Sequence, residues 1–395
     1  IGNVLAVIAI PWFVLQTTHS PAKTGVTGFF ITLAAVVAFF FGGTIVDRLG
    51  FKRTSITADI ASGTAFALIP LLYMFGGLQY WQLLALVFAG NFLDAPGTTA
   101  RESLIPDLAE KAGVSLERAS SLIQAVERGA RMVGAPLAGG LIALIGAQNV
   151  IWVDAASFAV SALIVWMAVP AFKPQPEPGG APRNYLSDLR EGLAFSVRER
   201  LLLTIILIVV ITNFLDAAVS GVMYPVYFQR FFGSAVDLGL VVSAGGAGAL
   251  ITALIFGAVG KRWNRRAVFF GGFALATLKL FIFPLVPPSW VLVGAALISG
   301  LGAGPINPVI STISYERIPA SLRGRVLGTL TAVGYIATPL GSVMGGLALE
   351  WVDVRVLFGV VAVVYLATVL GAMAARPTRQ MNARAAPAEA EISAE

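Results

Sequence analysis

Long apolar segments alternate with short polar stretches along almost the whole chain. A helix needs about 20 residues to cross the hydrocarbon core of a bilayer, and these segments are of that length. They are continuously apolar and do not alternate, so they favour spanning helices over the strands of a membrane barrel. Twelve spans are predicted, at residues 1–17, 24–46, 54–75, 80–100, 116–145, 149–169, 201–229, 235–259, 267–286, 289–312, 325–349 and 353–373.

A polar stretch at residues 170–200 separates the first six spans from the last six. Its Lys173–Gly180 segment has three prolines and cannot continue a helix. Tyr185–Arg200 then places leucines at helical spacing among charged residues, which predicts an amphipathic helix at the membrane surface or against the bundle. The predicted organisation is a six-helix half at 1–169, a cytoplasmic linker at 170–200, a second half at 201–373 and a disordered cytoplasmic tail at 374–395.

Composition supports a chain solvated by lipid. It is 57% hydrophobic and 12% charged, with a mean hydropathy of +0.83, whereas soluble domains carry about 25% charged residues. The net charge of +6 lies in short loops instead of one patch, which argues against nucleic acid as a partner. There is no cysteine and His19 is the one histidine, so no thiolate or histidine-rich metal site is predicted.

The distribution of basic residues predicts the orientation. If residue 1 lies near the cytoplasm, the opposite face carries only Lys23, Arg230 and Arg355, and most of the 27 Lys and Arg are cytoplasmic. This asymmetry is the one that the positive-inside rule describes. We therefore expect a multi-pass protein of the plasma (inner) membrane with both termini in the cytoplasm.

An internal repeat relates the two sets of spans. Ala135–Gly140 in the fifth span corresponds to Thr338–Gly341, followed by Gly345-Gly346, in the eleventh, and in both a proline precedes glycines. Phe41-Gly42, which precedes a charged turn, is echoed by Phe256-Gly257 before the basic run 261–266. Both pairs are six spans apart, which is typical of parallel repeats. The predicted fold class is an all-α polytopic membrane protein with twelve transmembrane helices in two pseudo-symmetric six-helix halves.

The charged turn between the second and third spans, residues 42–53, carries a family resemblance. Its pattern resembles the loop between the second and third helices of the major facilitator superfamily of transporters, through Gly43, Asp47, Arg48, Gly50, Lys52 and Arg53. The resemblance implies a cytoplasmic gate loop in which Asp47 caps a neighbouring helix and ties the halves together. The alternative is an ordinary positive-inside turn that contains an aspartate.

Five further stretches narrow the resemblance to one branch. Residues 101–108, 119–122, 133–140, 154–158 and 188–193 are similar to the drug:proton antiporters that include macrolide efflux pumps and enterobactin exporters. The antiporter-like motif and its associated helix bends are carried by Gly134, Pro136, Gly139, Gly140 and Pro339. Ala135 departs from the motif, where the branch usually has glycine.

Ionisable residues inside the spans are the candidates for chemistry, because charge in a bilayer costs several kcal/mol unless it is paired or hydrated. The proton-coupling candidates are Asp94, Glu127 and Asp216, and their possible charge partners are Arg128, Arg131 and Lys279. Glu127 and Arg131 share a helix face and form either an internal salt bridge or a protonatable pair lining a cavity. Asp59 and Asp154 lie nearer to span ends, and Asp154, which belongs to a branch motif, is interpreted as structural. The cavity candidates are Asn91, Gln124, Asn213, Tyr224, Asn307 and Tyr335.

The chain has no glycine-rich phosphate loop of the G-x-x-x-x-G-K-[ST] kind, so ATP is not the expected energy source. We expect no cofactor, no enzymatic activity and a monomer that exports hydrophobic or amphipathic small molecules against a proton gradient by alternating access. Siderophore or lysophospholipid transport on the same fold is the nearest alternative. A non-transporting receptor is a further alternative, whereas a membrane-embedded enzyme would need the clustered histidines or cysteines that this sequence lacks.

Overall fold

The computed structural model describes residues 2–170, 185–260, 263–319 and 322–382, and within these ranges it contains helices and no strand. Helical segments occupy all twelve predicted spans, which confirms the predicted fold class. They are α1 (Gly2–Thr18), α2 (Pro21–Leu49), α3 (Phe51–Met74), α4 (Tyr80–Ser103), α6 (Leu116–Ile145), α7 (Ala147–Ala168), α9 (Arg200–Ala218) with α10 (Tyr224–Phe231), α11 (Ala235–Val259), α12 (Arg265–Ile282), α13 (Ser289–Ala303) with α14 (Ile306–Arg317), α15 (Arg323–Ile336) with α16 (Thr338–Trp351), and α17 (Val354–Ala374). Two further helices lie outside the spans, α5 (Ile105–Lys111) and α8 (Tyr185–Arg198).

Among the residues that the structure describes, nine helical segments are long and apolar enough to cross a membrane on length and composition alone. The other three predicted spans are α1, α4 and α6. α1 is apolar but has 17 residues in the structure. α4 and α6 reach full length but carry several ionisable residues. Those residues lower the mean hydropathy of the two helices.

Three spans of the second half are interrupted. The tenth breaks at Gly304-Pro305, between α13 and α14. A π-helical turn at Val219–Met223 joins α9 to α10. The eleventh span breaks between Ile336 and Thr338, next to Pro339. Proline lacks an N–H to donate and disfavours helical geometry in the residue before it, so a break is expected there. Pro136, its counterpart in the first half, lies within the continuous helix α6.

The linker helix α8 packs against α15 in the second unit. A Cβ atom added to Gly192 would lie 2.2 Å from the Thr329 hydroxyl of α15, so the two helices touch at this glycine. Arg325 donates to Glu191 at 2.6 Å beside the contact. Leu193, on another face of α8, remains exposed.

The C-terminal segment differs from the predicted disordered tail at 374–395. Arg376–Asn382 forms a 3₁₀ helix in which Thr378 and Met381 are buried. The Thr378 hydroxyl donates to the carbonyls of Ala372 and Ala375, which holds this helix against the end of α17. The composition of the tail gave no sign that these two side chains are buried. Residues 383–395 lie outside the described ranges.

The chain divides into two compact units. The first contains the first six spans together with Ser220–Ser243 and Ser342–Trp351. The second contains α8 and the remaining parts of the seventh to twelfth spans. The core of the first unit is built around α1, where Ala9 and Val14 are fully buried, and that of the second includes the stacked rings of Phe283 and Phe358, 4.6 Å apart.

Candidate transport sites

In the first unit, one arginine joins two carboxylates from different helices. Arg101 follows Asp94 by seven residues on α4, which places both side chains on the same helix face. Its guanidinium donates to Asp94 at 3.3 Å and to Asp59 of α3 at 2.6 Å. The Asp59 side chain is 1% exposed, so Arg101 supplies the counter-charge that a buried carboxylate requires.

Each of these carboxylates also accepts a hydrogen bond from a neutral side chain. Asn3 of α1 donates to Asp94 at 2.8 Å, and Ser161 of α7 donates to Asp59 at 2.7 Å. The network therefore connects four helices, α1, α3, α4 and α7, through a single shared cation. Because Arg101 contacts both aspartates, neutralising one aspartate leaves the arginine to pair with the other alone.

A cavity of about 220 Å³ adjoins this network. Asn3, Asn91, Asp94 and Asp154 contribute its polar wall. Asp154 is fully buried on α7, and neither carboxylate oxygen has a hydrogen-bond partner in the described part of the chain. The sequence interpretation selected Asp94 and Asn91 but took Asp154 as structural. It did not connect Arg101 to Asp94, although their seven-residue spacing was the available signal.

The second unit contains a polar cavity of about 240 Å³. Asp216 of α9 and Lys279 of α12 both line it, and the two charges interact. This supports the interpretation that Lys279 neutralises a carboxylate. Asn213 and Asn307, predicted as cavity residues, line the same cavity, and Tyr335 lines an adjoining one. Tyr224, predicted with them, is instead buried against the ring of Phe228.

The charged group in the fifth span has a different environment. Glu127 and Arg131 are both exposed on α6, and no ion pair joins them in the structure. The side chains of Gln124 and Arg128 lie outside what the structure describes. The described contacts therefore favour neither an internal salt bridge between Glu127 and Arg131 nor a protonatable pair that lines a cavity.

The gate-loop prediction falls partly outside the described residues. The backbone of α2 continues through Gly43, Asp47 and Arg48 to Leu49, but the side chains of residues 39–49 are not described. The turn itself is only Gly50, with φ 78°, a conformation that favours glycine. Lys52 of the same motif donates to the Trp166 carbonyl at 2.8 Å, so it caps the end of α7.

Glycines of the predicted antiporter motif make close helix contacts inside the first unit. A Cβ atom on Gly139 of α6 would lie 2.4 Å from the Ala235 carbonyl oxygen of α11. In return, a Cβ atom on Gly239 would lie 2.4 Å from the carbonyl oxygen of Ala135. Gly134 faces Val4 of α1, and Gly140 has nothing within 4 Å. Small residues allow such approach between membrane helices.

Twelve spans in two repeated sets, with ionisable groups beside internal cavities, define a polytopic membrane transporter. The family model of the Major Facilitator Superfamily matches residues 1–211 and again 206–394. The chain belongs to this superfamily. The double match agrees with the internal repeat seen in the sequence.

The relatives found by sequence include two kinds of efflux protein. The chain is 30% identical over 348 residues to the multidrug efflux pump Tap of Mycolicibacterium fortuitum, covering 87% of this chain and 85% of that one. It is 20% identical over 343 residues to macrolide efflux protein A of Streptococcus pyogenes, covering 84% of each. The predicted resemblance to the branch containing macrolide efflux pumps is confirmed.

Among solved structures, the chain is similar to the nucleoside transporter NupG. The TM-score is 0.72 at 13% identity, over 94% of this chain and 96% of that one. At this identity the likeness concerns the fold alone. The family and these relatives are all transporters, and the protein is an integral, multi-pass membrane protein.

Proposed function

We propose that this protein is a proton-coupled exporter of hydrophobic or amphipathic small molecules that works by alternating access. The observation that carries the proposal is its similarity to the multidrug efflux pump Tap along 87% of the chain. The concentration of Lys and Arg in the loops assigned to the cytoplasm supports an orientation with both termini inside.

Proton coupling requires a carboxylate that can take up a proton without leaving a buried cation unpaired. Asp94 meets this requirement best among the three candidates. It borders a cavity, and its cation Arg101 already has a second carboxylate, Asp59, at 2.6 Å. When Asp94 takes up a proton, Arg101 stays paired with Asp59 and the three groups are neutral together; when Asp94 releases the proton, they carry one net negative charge, which the Arg101 and Asn3 contacts of Asp94 stabilise.

Glu127 and Asp216 fit the coupling role less well. Glu127 has no cation paired with it in the described structure. Asp216 interacts with Lys279, and protonating it would weaken the attraction that balances this lysine in its cavity. The proposal therefore assigns the coupling proton to Asp94.

Proton release from the purified protein tests both the function and the assignment. Adding a panel of hydrophobic and amphipathic compounds, including Hoechst 33342, to weakly buffered protein in detergent should release protons for those that bind. Asp94→Asn should abolish the release and the transport driven by a pH gradient in everted vesicles, and should retain substrate exchange without a gradient. The matched control is Glu102→Gln, an exposed carboxylate on the same helix.

Two results would overturn these statements separately. If no compound of the panel is transported or causes proton release, the proton-coupled efflux function is refuted. If Asp94→Asn retains full gradient-driven transport while Asp216→Asn or Glu127→Gln loses it, the function stands and the assignment to Asp94 is wrong.

A further inference from the structure

Two cavities in the second unit adjoin each other and differ in character. The first, of about 240 Å³, contains Asp216 and Lys279. The second, of about 390 Å³, has aliphatic side chains of α9 and α15, such as Ile205 and Leu330, and also the hydroxyls of Ser311, Ser314 and Thr331 in its wall, but no carboxylate, lysine, arginine or histidine among the residues that line it. Four residues line both cavities, Val209, Asn213, Asn307 and Ile310. We call the two together the C-terminal chamber, which is charged at one end and more apolar at the other.

Amides stand at the junction of the two ends. Asn213 donates to the Gly334 carbonyl of α15 at 2.9 Å, which fixes its side chain between the cavities. Asn307 of α14 is exposed and makes no side-chain hydrogen bond to any residue that the structure describes. Its donor and its acceptor are both available to a ligand.

Size indicates a small-molecule site. The apolar end alone lies within the range of about 300–1,000 Å³ that ligand pockets occupy. Such pockets combine apolar walls with a few placed polar groups, which is the composition seen here. An occupant must therefore have an apolar body and a polar head group that reaches past Asn213 and Asn307.

Charge restricts the head group. Asp216 and Lys279 balance each other, so the polar end carries no net charge when both are ionised. A ligand with a single charge would pair with one of them and leave the other uncompensated within the membrane. A head group of zero net charge that both donates and accepts hydrogen bonds can contact both residues and keep the balance.

We propose that the C-terminal chamber binds amphipathic molecules whose head group carries no net charge, with the apolar body against α9 and α15 and the head group between Asp216 and Lys279. The inference rests on the proposed efflux function for its biological meaning. Its test, however, is equilibrium binding to purified protein, which needs no gradient and no turnover.

The test uses four fluorescent probes with one dansyl–alkyl body and different head groups. These are a zwitterionic sulfobetaine, a neutral hydroxyethyl amide, a quaternary ammonium and a sulfonate. At pH 8.5 the wild-type protein should bind the sulfobetaine or the hydroxyethyl amide probe, which carry no net charge, at least tenfold more tightly than either charged probe. Equal or tighter binding of the ammonium or sulfonate probe would overturn the proposal, and so would failure of all four to bind.

Removing the charge of Lys279 or Asp216 tests whether this pair selects the head group, because a purely structural role would leave the order of preference among the probes unchanged. Lys279→Met leaves Asp216 in excess and should shift the preference at least tenfold toward the ammonium probe. Asp216→Asn should shift it toward the sulfonate probe, and the double variant should restore the wild-type order. An order of preference that is the same in all four proteins would refute the role of this pair.

Amide variants locate the site. Asn307→Ala should weaken binding of the preferred probe several-fold, whereas Asn149→Ala should not. Asn149 is an exposed amide that donates to the Ile145 carbonyl at the end of α6, and it lines neither cavity. If both variants bind alike, the probe occupies another site. Efflux of other compounds in vesicles would still support the proposed function, so the two failures are distinguishable.

Discussion

Replacing Gly139 by alanine tests whether close packing of α6 on α11 holds the first unit together. The new Cβ atom would lie 2.4 Å from the Ala235 carbonyl oxygen, about 1 Å inside the 3.4 Å at which ordinary contact begins. The carbonyl belongs to a helix backbone and cannot rotate away, so one helix must move. Overpacking of this kind costs about 1–3 kcal/mol.

Gly140→Ala is the matched control, because it is the adjacent glycine of the same helix. A Cβ atom there meets nothing within 4 Å. Alanine favours helix over glycine by up to about 1 kcal/mol, and both variants receive this gain. The difference in stability between them therefore isolates the steric effect at Gly139.

Thermal unfolding of the purified protein in detergent is the assay. A loss of 1 kcal/mol lowers the melting temperature by about 2–4 °C in a domain of 150–250 residues, so Gly139→Ala should melt a few degrees below Gly140→Ala. Gly239→Ala, which meets the Ala135 carbonyl from the other side, should act in the same direction. The two effects should not add, since both force the same two helices apart. The reasoning is refuted if Gly139→Ala melts at or above Gly140→Ala.

Three other predictions follow from single contacts. Arg101→Ala should lower the free energy of unfolding by about 3–5 kcal/mol, because it leaves the carboxylate of Asp59, 1% exposed, without its cation. Thermal unfolding measures the loss, and a loss no larger than that of a variant at an exposed arginine would contradict this. Met381→Ala should cost about 2–5 kcal/mol, because this side chain is buried in the C-terminal 3₁₀ helix, whereas Met373→Ala, 42% exposed, should have little effect. Ser20 donates to Glu350 at 2.8 Å within the first compact unit, and the chain has no cysteine, so cysteines at these two positions joined by a short cross-linker should leave transport intact; loss of transport in the linked state, reversed when the linker is cut, would show that this contact opens during the cycle.

The membrane class and the number of spans could be predicted from the sequence because they depend on local composition. A segment such as α17 is apolar along its length, and lipid leaves its backbone no partner except its own helix. The internal repeat could be detected because it consists of prolines and glycines at matching positions, which can be read directly from the sequence. Pro339 does interrupt the eleventh span.

The contacts of the candidate sites were a matter of tertiary structure. The sequence singled out Asp94, but Asn3 and Asp59, which complete its network, are 91 and 35 residues away along the chain. Their side chains meet only because α1, α3 and α4 pack together. Likewise, nothing local distinguishes Met381 in an alanine- and proline-rich segment from a solvated residue, although it is 1% exposed.

The sequence by itself therefore determined that this chain is a two-fold repeated helical membrane protein with ionisable groups inside its spans, because lipid imposes that result one segment at a time. Only the tertiary structure decided that Arg101 is shared by two carboxylates and that Asp216 and Lys279 face one chamber. The physical reason is that the energy of a buried charge depends on the few atoms within hydrogen-bonding reach, and these come from helices distant in sequence.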